Sequence, residues 1–154
     1  MRRKRATIIA WLVAVMMAAT ACAGEMDSAT QVRFCLDGHL RTCNASQGGA
    51  LLVNILARAS EIFDGLYSPD DVAELKATHP WAEAEWNTPI TIQPMALRAD
   101  IAVSRILIVI KDSRPRWIFF GGDTYDMRTV LSAPDVSSDI LSRLTTLCSE
   151  TASP

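Results

Sequence analysis

Several residue types and motifs on which enzymes depend are scarce in this chain. It has 154 residues but only two histidines, and it contains no GxSxG, HExxH, P-loop or Rossmann fingerprint. A CxxC motif, typical of thioredoxin-like redox proteins, is also missing. His39 follows a turn signal, so we expect it to be exposed. His79 precedes Pro80 at a helix break, so we expect it to cap or pack and not to catalyse. We therefore expect no metal and no cofactor. The sequence favours a non-enzymatic function but leaves the question of catalysis open.

Acidic residues are missing from the first 24 positions, whereas four of the first five residues are basic. Once residues 1–21 are set aside, 11 basic and 17 acidic residues remain, a net charge of −6. A nucleic-acid-binding protein needs a basic face, so this class of function is not expected. The length and the 49% hydrophobic content predict one domain with a proper core.

Residues 1–21 predict a secretory signal peptide, because a basic start is followed by an apolar stretch and then by small residues. Ala19-Thr20-Ala21-Cys22 resembles the lipobox of bacterial lipoproteins, in which the cysteine after the cleavage site carries the acyl chains. The family prefers leucine where Ala19 stands. The resemblance implies an acylated Cys22, a tether over 22–27 and a membrane-anchored lipoprotein that faces the periplasm. Cleavage by ordinary signal peptidase would instead release a soluble periplasmic protein, and an uncleaved apolar anchor is a further alternative.

Cysteines in an exported protein can form disulfides. If Cys22 is acylated, Cys35, Cys43 and Cys148 remain, which predicts one intramolecular disulfide and one free thiol. Residues 28–36 have helical spacing, whereas Asp37-Gly38 is a hairpin turn signal. In the hairpin, Cys35 and Cys43 would be about three residues out of register, which is too far apart for a disulfide between them. We favour the helix, which leaves Cys35 and Cys43 free to join each other or to reach Cys148, with Cys35–Cys43 slightly preferred.

The hydrophobic pattern predicts a single α+β domain over residues 28–154. N-terminal helices are expected at 50–64 and after the cap-like Ser68, and Trp81–Trp86 is expected to add a helical turn. Apolar residues alternate after Asn87, which predicts an antiparallel meander of about four strands. A C-terminal helix over 134–148 closes the domain.

Two stretches of the meander, 106–110 and 117–120, are apolar on both faces. Both faces of the sheet centre must then be covered, by helices on opposite sides or by a partner. Trp117 and Phe119 share one face of their strand, and arginines bracket its turn. An apolar centre with an arginine rim is typical of a protein-binding site. The candidate partner-binding residues are Trp117, Phe119, Arg116, Trp81 and Trp86.

These observations predict a non-enzymatic accessory or adaptor lipoprotein that binds a protein partner in the cell envelope. A first alternative is an immunity or inhibitor protein whose acids, such as Asp70, Asp71, Glu83 and Glu85, meet the basic cleft of an exported toxin or enzyme. A second alternative is a small periplasmic hydrolase that uses the glycine-rich loop 121–126. Paired catalysis by Glu83 and Glu85 is disfavoured, because residues two apart on a helix point away from each other.

Overall fold

Eight strands form one antiparallel sheet in the computed structural model, which describes residues 28–63 and 65–150, the last two of these by their backbone only. The strands are β1 Gln31–Leu36, β2 His39–Cys43, β3 Glu61–Phe63, β4 Trp81–Ile92, β5 Ile101–Lys111, β6 Arg114–Gly121, β7 Val130–Ser132 and β8 Cys148–Glu150. The helices are α1 Ala45–Ala57, α2 Pro69–Thr78 and α3 Ile140–Leu147. Across the sheet the order is β3-β7-β6-β5-β4-β1-β2-β8. The α+β class is confirmed, whereas the predicted signal peptide, tether and acylation site at Cys22 lie outside the described residues.

Residues 31–43 form a hairpin, so the helix that we favoured for this segment is wrong. Asp37 and Gly38 occupy the turn with φ values of 52° and 78°, as a two-residue hairpin turn of the Asp-Gly type requires. β1 pairs with β2 on one side and with β4 on the other. These two sets of backbone hydrogen bonds outweigh the helical spacing of a short segment.

The predicted meander is present as the consecutive strands β4, β5, β6 and β7. It is wider than expected, because β1, β2 and β8 extend it on one side and β3 extends it on the other. Trp81–Trp86 is not a helical turn but the first half of β4, where it pairs with both β1 and β5. Strand β1 and the first half of β4 therefore stand where helical segments were expected, whereas the helices expected at 50–64 and after Ser68 are present as α1 and α2.

Capping side chains mark the starts of α1 and α2, whereas α3 begins at Ile140, later than the predicted residue 134, without a side-chain cap. Asn44 caps α1 by accepting the Gln47 backbone N–H at 2.9 Å, and the helix ends well before residue 64. Ser68 caps α2 as predicted: it accepts from the Asp71 N–H, and the Asp71 carboxylate accepts the Ser68 N–H at 2.7 Å. Within the part of the chain described here, no helix combines the length and the apolar character needed to cross a membrane.

The two sheet faces are covered by different helices. α1 and α3 lie together on one face, which we call the helical face, and α2 lies on the other, which we call the α2 face. The helical face is lined by Val32, Phe34, Ala82, Ala84, Trp86, Ile106, Ile108, Ile110, Ile118, Phe120 and Leu131. The α2 face is lined by Trp81, Leu107, Val109, Phe119 and Val130. Coverage of both faces thus depends on α2, not on opposite placement of the first and last helices.

Among the cysteines that the structure describes, one disulfide joins Cys43 to Cys148 across β2 and β8, and Cys35 is a free, half-buried thiol. The prediction of one bridge and one free thiol is confirmed, but the preferred Cys35–Cys43 pairing is wrong. Alternation along the hairpin is the reason: Cys35 belongs to the α2 face and Cys43 to the helical face. Their side chains leave opposite sides of the sheet.

Candidate functional site

The α2 face carries an aromatic cluster that four separate elements assemble. We use this name for Phe63 on β3, Tyr67 before α2, His79 at the end of α2, and Trp117 with Arg116 on β6. The Trp117 indole Nε1 donates to the Tyr67 hydroxyl at 3.0 Å. Its ring centroid lies 6.3 Å from that of Phe63, in a stacked geometry, and 5.4 Å from that of His79. Trp117 is therefore held in one orientation by three neighbours.

The aromatic cluster lies at the surface. Its four rings are half-buried, and Arg116 is exposed with its guanidinium carbon 4.9 Å from the centroid of the Phe63 ring. Four large hydrophobic side chains of the described residues are exposed, and two of them, Ile62 (52%) and Leu66 (83%), flank this cluster in the chain. An apolar surface with a cationic border results.

The predicted partner-binding residues divide into two groups. Trp117 and Arg116 lie in the aromatic cluster at the surface, as described above. Phe119 is fully buried beneath Tyr67, with a ring centroid distance of 5.4 Å. Trp81 and Trp86 are 8% and 6% exposed, because strand alternation directs them to opposite faces of the sheet. The structure thus places Phe119, Trp81 and Trp86 in the interior and not on the docking surface that we predicted for them.

A second group of polar side chains on the α2 face surrounds Glu83. Because this segment is a strand, Glu83 and Glu85 point to the same side, contrary to the expectation based on a helix. Arg33 Nη2 lies 2.7 Å from Glu83 Oε2 and 3.1 Å from Glu85 Oε1. Lys76 Nζ lies 3.6 Å from Glu83, and Arg105 Nη2 lies 3.9 Å from Glu85. We call this group the Glu83 network.

Tyr125 completes the Glu83 network by donating its hydroxyl to Glu83 Oε1. Burial, followed by the negative charge of Glu83, raises the pKa of Tyr125 far above its ordinary value, so the phenol remains protonated. Glu83 is 5% exposed and meets cations and a hydroxyl donor. Both glutamates are thus used for internal ion pairing, which weakens the inhibitor alternative that needed them at the surface.

The glycine-rich loop 121–126 closes on itself. A Cβ atom at Gly121 would lie 2.1 Å from the Thr124 carbonyl oxygen, so only glycine permits this approach of the backbone. The Asp126 carboxylate accepts the Arg128 backbone N–H at 2.8 Å, and the Asp126 N–H donates to the Phe120 carbonyl at 2.8 Å. The loop uses its own polar groups to position Tyr125, which leaves the hydrolase alternative without support from its geometry.

The rest of the described residues offer few groups that could form a catalytic or metal-binding site. No group of three or more His, Cys, Asp or Glu side chains among them is arranged to hold a metal ion. An open cleft of about 620 Å³ separates α1 from α3 and is lined by Gln47, Ala50, Leu51, Asn54, Ser142, Arg143, Thr146 and Leu147.

No protein-family model, curated protein or solved structure matches this chain. Its function must therefore be argued from the geometry.

Most members of these two groups could not be predicted from the sequence. Phe63, Tyr67 and His79 lie on three different elements, and no local spacing connects any of them with Trp117. Arg33 and Tyr125 reach Glu83 across 50 and 42 residues of chain. The only signal in the sequence was the alternation that set Trp117 apart, together with the neighbouring arginines.

Proposed function

We propose that this protein is an exported accessory protein that binds a protein partner in the cell envelope through the aromatic cluster. The geometry of Trp117 carries the proposal. Its ring is partly exposed yet already fixed by Tyr67, Phe63 and His79. A side chain that is ordered before binding loses little conformational entropy on docking, and Trp, Tyr and Arg are the residues most often found at binding hot spots.

The border of the aromatic cluster supports the same proposal. Arg116 is exposed above Phe63 and can pair with a carboxylate of a partner, while Leu66 offers an aliphatic side chain that is 83% exposed. In a protein interface the buried centre supplies most of the affinity, and a charged border contributes to orientation and association rate. The cluster therefore fits a partner that presents an apolar side chain close to an acidic group.

Site-specific photo-crosslinking tests the proposal. We would place a photoreactive phenylalanine analogue at Leu66 and, as a matched control, at Ser142, which is exposed on α3 of the helical face. We expect a discrete protein adduct from position 66 and none from position 142. Adding Trp117→Ala should reduce the adduct at least about fivefold, which corresponds to about 1 kcal/mol of binding free energy. Equal adducts at both positions, or an adduct unaffected by Trp117→Ala, would contradict the proposal.

The membrane anchor is the second part of the proposed function. Its support is the lipobox-like Ala19-Thr20-Ala21-Cys22 that follows a signal-peptide pattern. We expect the isolated protein to carry an acylated N-terminal Cys22 and to fractionate with membranes, and Cys22→Ser to lose this association. Mass spectrometry that finds an unmodified N-terminus at Cys22 or Gly24 in the soluble fraction would exclude the anchor.

A further inference from the structure

The β3 edge of the sheet is open to pairing. β3 is the terminal strand, bonded to β7 on one side and bordered by no other strand of the described residues on the other. Its central residue, Ile62, is 52% exposed, although most aliphatic residues of the sheet are buried. An exposed edge strand presents unpaired backbone N–H and C=O groups, which can bond to another strand.

The charges around β3 are complementary to those of a second copy. Phe63 points to the α2 face, and alternation places Glu61 on that same face and Ile62 on the other. Glu61 and Arg116 are both exposed, and within the described part of the chain neither forms an ion pair. The Arg116 guanidinium lies over Phe63. A carboxylate opposite Phe63 would therefore meet this cation.

Antiparallel pairing of two β3 strands supplies that carboxylate. When Ile62 of one copy lies opposite Ile62 of the other, Glu61 lies opposite Phe63 of the second copy, on the same face of the combined sheet. We propose that two copies of this chain associate in this way, with Ile62 on the two-fold axis and Glu61 of each copy paired with Arg116 of the other. The contact is isologous, so it forms a closed dimer.

Two consequences follow from this geometry. The axis is perpendicular to the sheet, so both aromatic clusters lie on the same side of the dimer. β3 has only three residues, and an interface of this size belongs to the weak, reversible class, below about 1,200 Å² of buried surface. The dimer forms without a protein partner, but it engages Arg116, so a partner that binds the dimer would contact Trp117 and Leu66 while Arg116 pairs with Glu61 of the other copy.

Charge reversal tests the dimer by sedimentation equilibrium over a dilution series that extends to millimolar protein. The reference chain begins at residue 22 and carries Cys22→Ser and Cys35→Ser, so that neither acyl chains nor thiol oxidation add association. We expect a reversible monomer–dimer equilibrium. Glu61→Arg alone and Arg116→Glu alone should each weaken it at least about tenfold, because like charges then face each other in both contacts.

An equimolar mixture of the two single variants should dimerise again, because both contacts then join opposite charges. The double variant Glu61→Arg/Arg116→Glu should do so by itself for the same reason. A reference chain that stays monomeric at every concentration, single variants that dimerise normally, or a mixture that stays monomeric would each overturn the proposal. Trp117→Ala should leave dimerisation unchanged, so loss of partner binding and loss of the dimer are separate results.

Discussion

The two faces of the sheet differ in chemistry as well as in the helices that cover them. The helical face carries the larger apolar core, is packed by α1 and α3, and contains the Cys43–Cys148 bridge. The α2 face combines a small apolar core with the buried carboxylate of Glu83 and with aromatic rings that remain partly exposed. Burial of apolar side chains stabilises the fold without requiring a particular contact geometry. Buried polar groups, by contrast, require particular hydrogen-bond or ion-pair partners. Stability therefore depends mainly on the helical face, whereas the partner binding that we propose uses the α2 face.

The disulfide should produce the largest effect, because it closes a long loop on the helical face. Cys43 and Cys148 are 105 residues apart, and loop-closure entropy for such a separation contributes about 4–5 kcal/mol. We expect the double variant Cys43→Ser/Cys148→Ser to lose this amount in urea unfolding. Cys35→Ser is the matched control and should cost less than about 1 kcal/mol. If Cys35→Ser and Cys43→Ser/Cys148→Ser lost similar amounts of stability, the difference in stability that we expect between the two faces would be contradicted.

Truncation of one aromatic residue on each face tests the comparison directly. Phe34 is fully buried on the helical face, so Phe34→Ala should lower the free energy of unfolding by about 3–5 kcal/mol. Trp117 is half-buried, and Trp117→Ala should cost about 1–2 kcal/mol while it reduces the partner adduct at least about fivefold. Urea unfolding measures both values. If Trp117→Ala costs as much as Phe34→Ala, Trp117 is a core residue and the proposed docking surface fails.

Neutralising one carboxylate separates the buried part of the Glu83 network from its more exposed part. Glu83→Gln should cost about 2 kcal/mol, because Arg33 and Lys76 lose the charge that compensates their partial burial. Glu85→Gln is the control: this side chain is 28% exposed, and its removal should cost less than about 1 kcal/mol. If urea unfolding shows that Glu83→Gln and Glu85→Gln lose equal amounts of stability, the burial of Glu83 does not account for the cost of neutralising it.

The Tyr125 hydroxyl should produce the smallest effect near neutral pH, about 1 kcal/mol for Tyr125→Phe. Its pKa is higher in the folded protein than the value of 10.0 for an unperturbed tyrosine, mainly because of burial. The stabilisation is therefore complete below that value, and it falls at higher pH because the unfolded chain loses its phenolic proton first. Urea midpoints from about pH 8 to about pH 11 should decline more steeply for the unsubstituted protein than for Tyr125→Phe. Parallel declines would contradict the burial of the Tyr125 hydroxyl beside Glu83.

Features that depend on a few neighbouring residues could be predicted. Ser68 and Asp71 form the expected cap at the start of α2, and the long apolar runs became β5 and β6. The Asp37-Gly38 turn signal was also present, but we gave more weight to the helical spacing before it. That error determined two others, because it hid the strand on which Arg33 lies and left the Cys35–Cys43 pairing open.

The amino-acid sequence by itself determined the α+β class, the central meander and the Ser68 cap at the start of α2. These depend on interactions within one turn or on alternation along one strand. Only the tertiary structure decided that Trp81–Trp86 is a strand, that Cys43 joins Cys148, and that Arg33 and Tyr125 meet Glu83. Each of these results from pairing between distant segments, whose hydrogen bonds and side-chain contacts exist only when the whole sheet has formed.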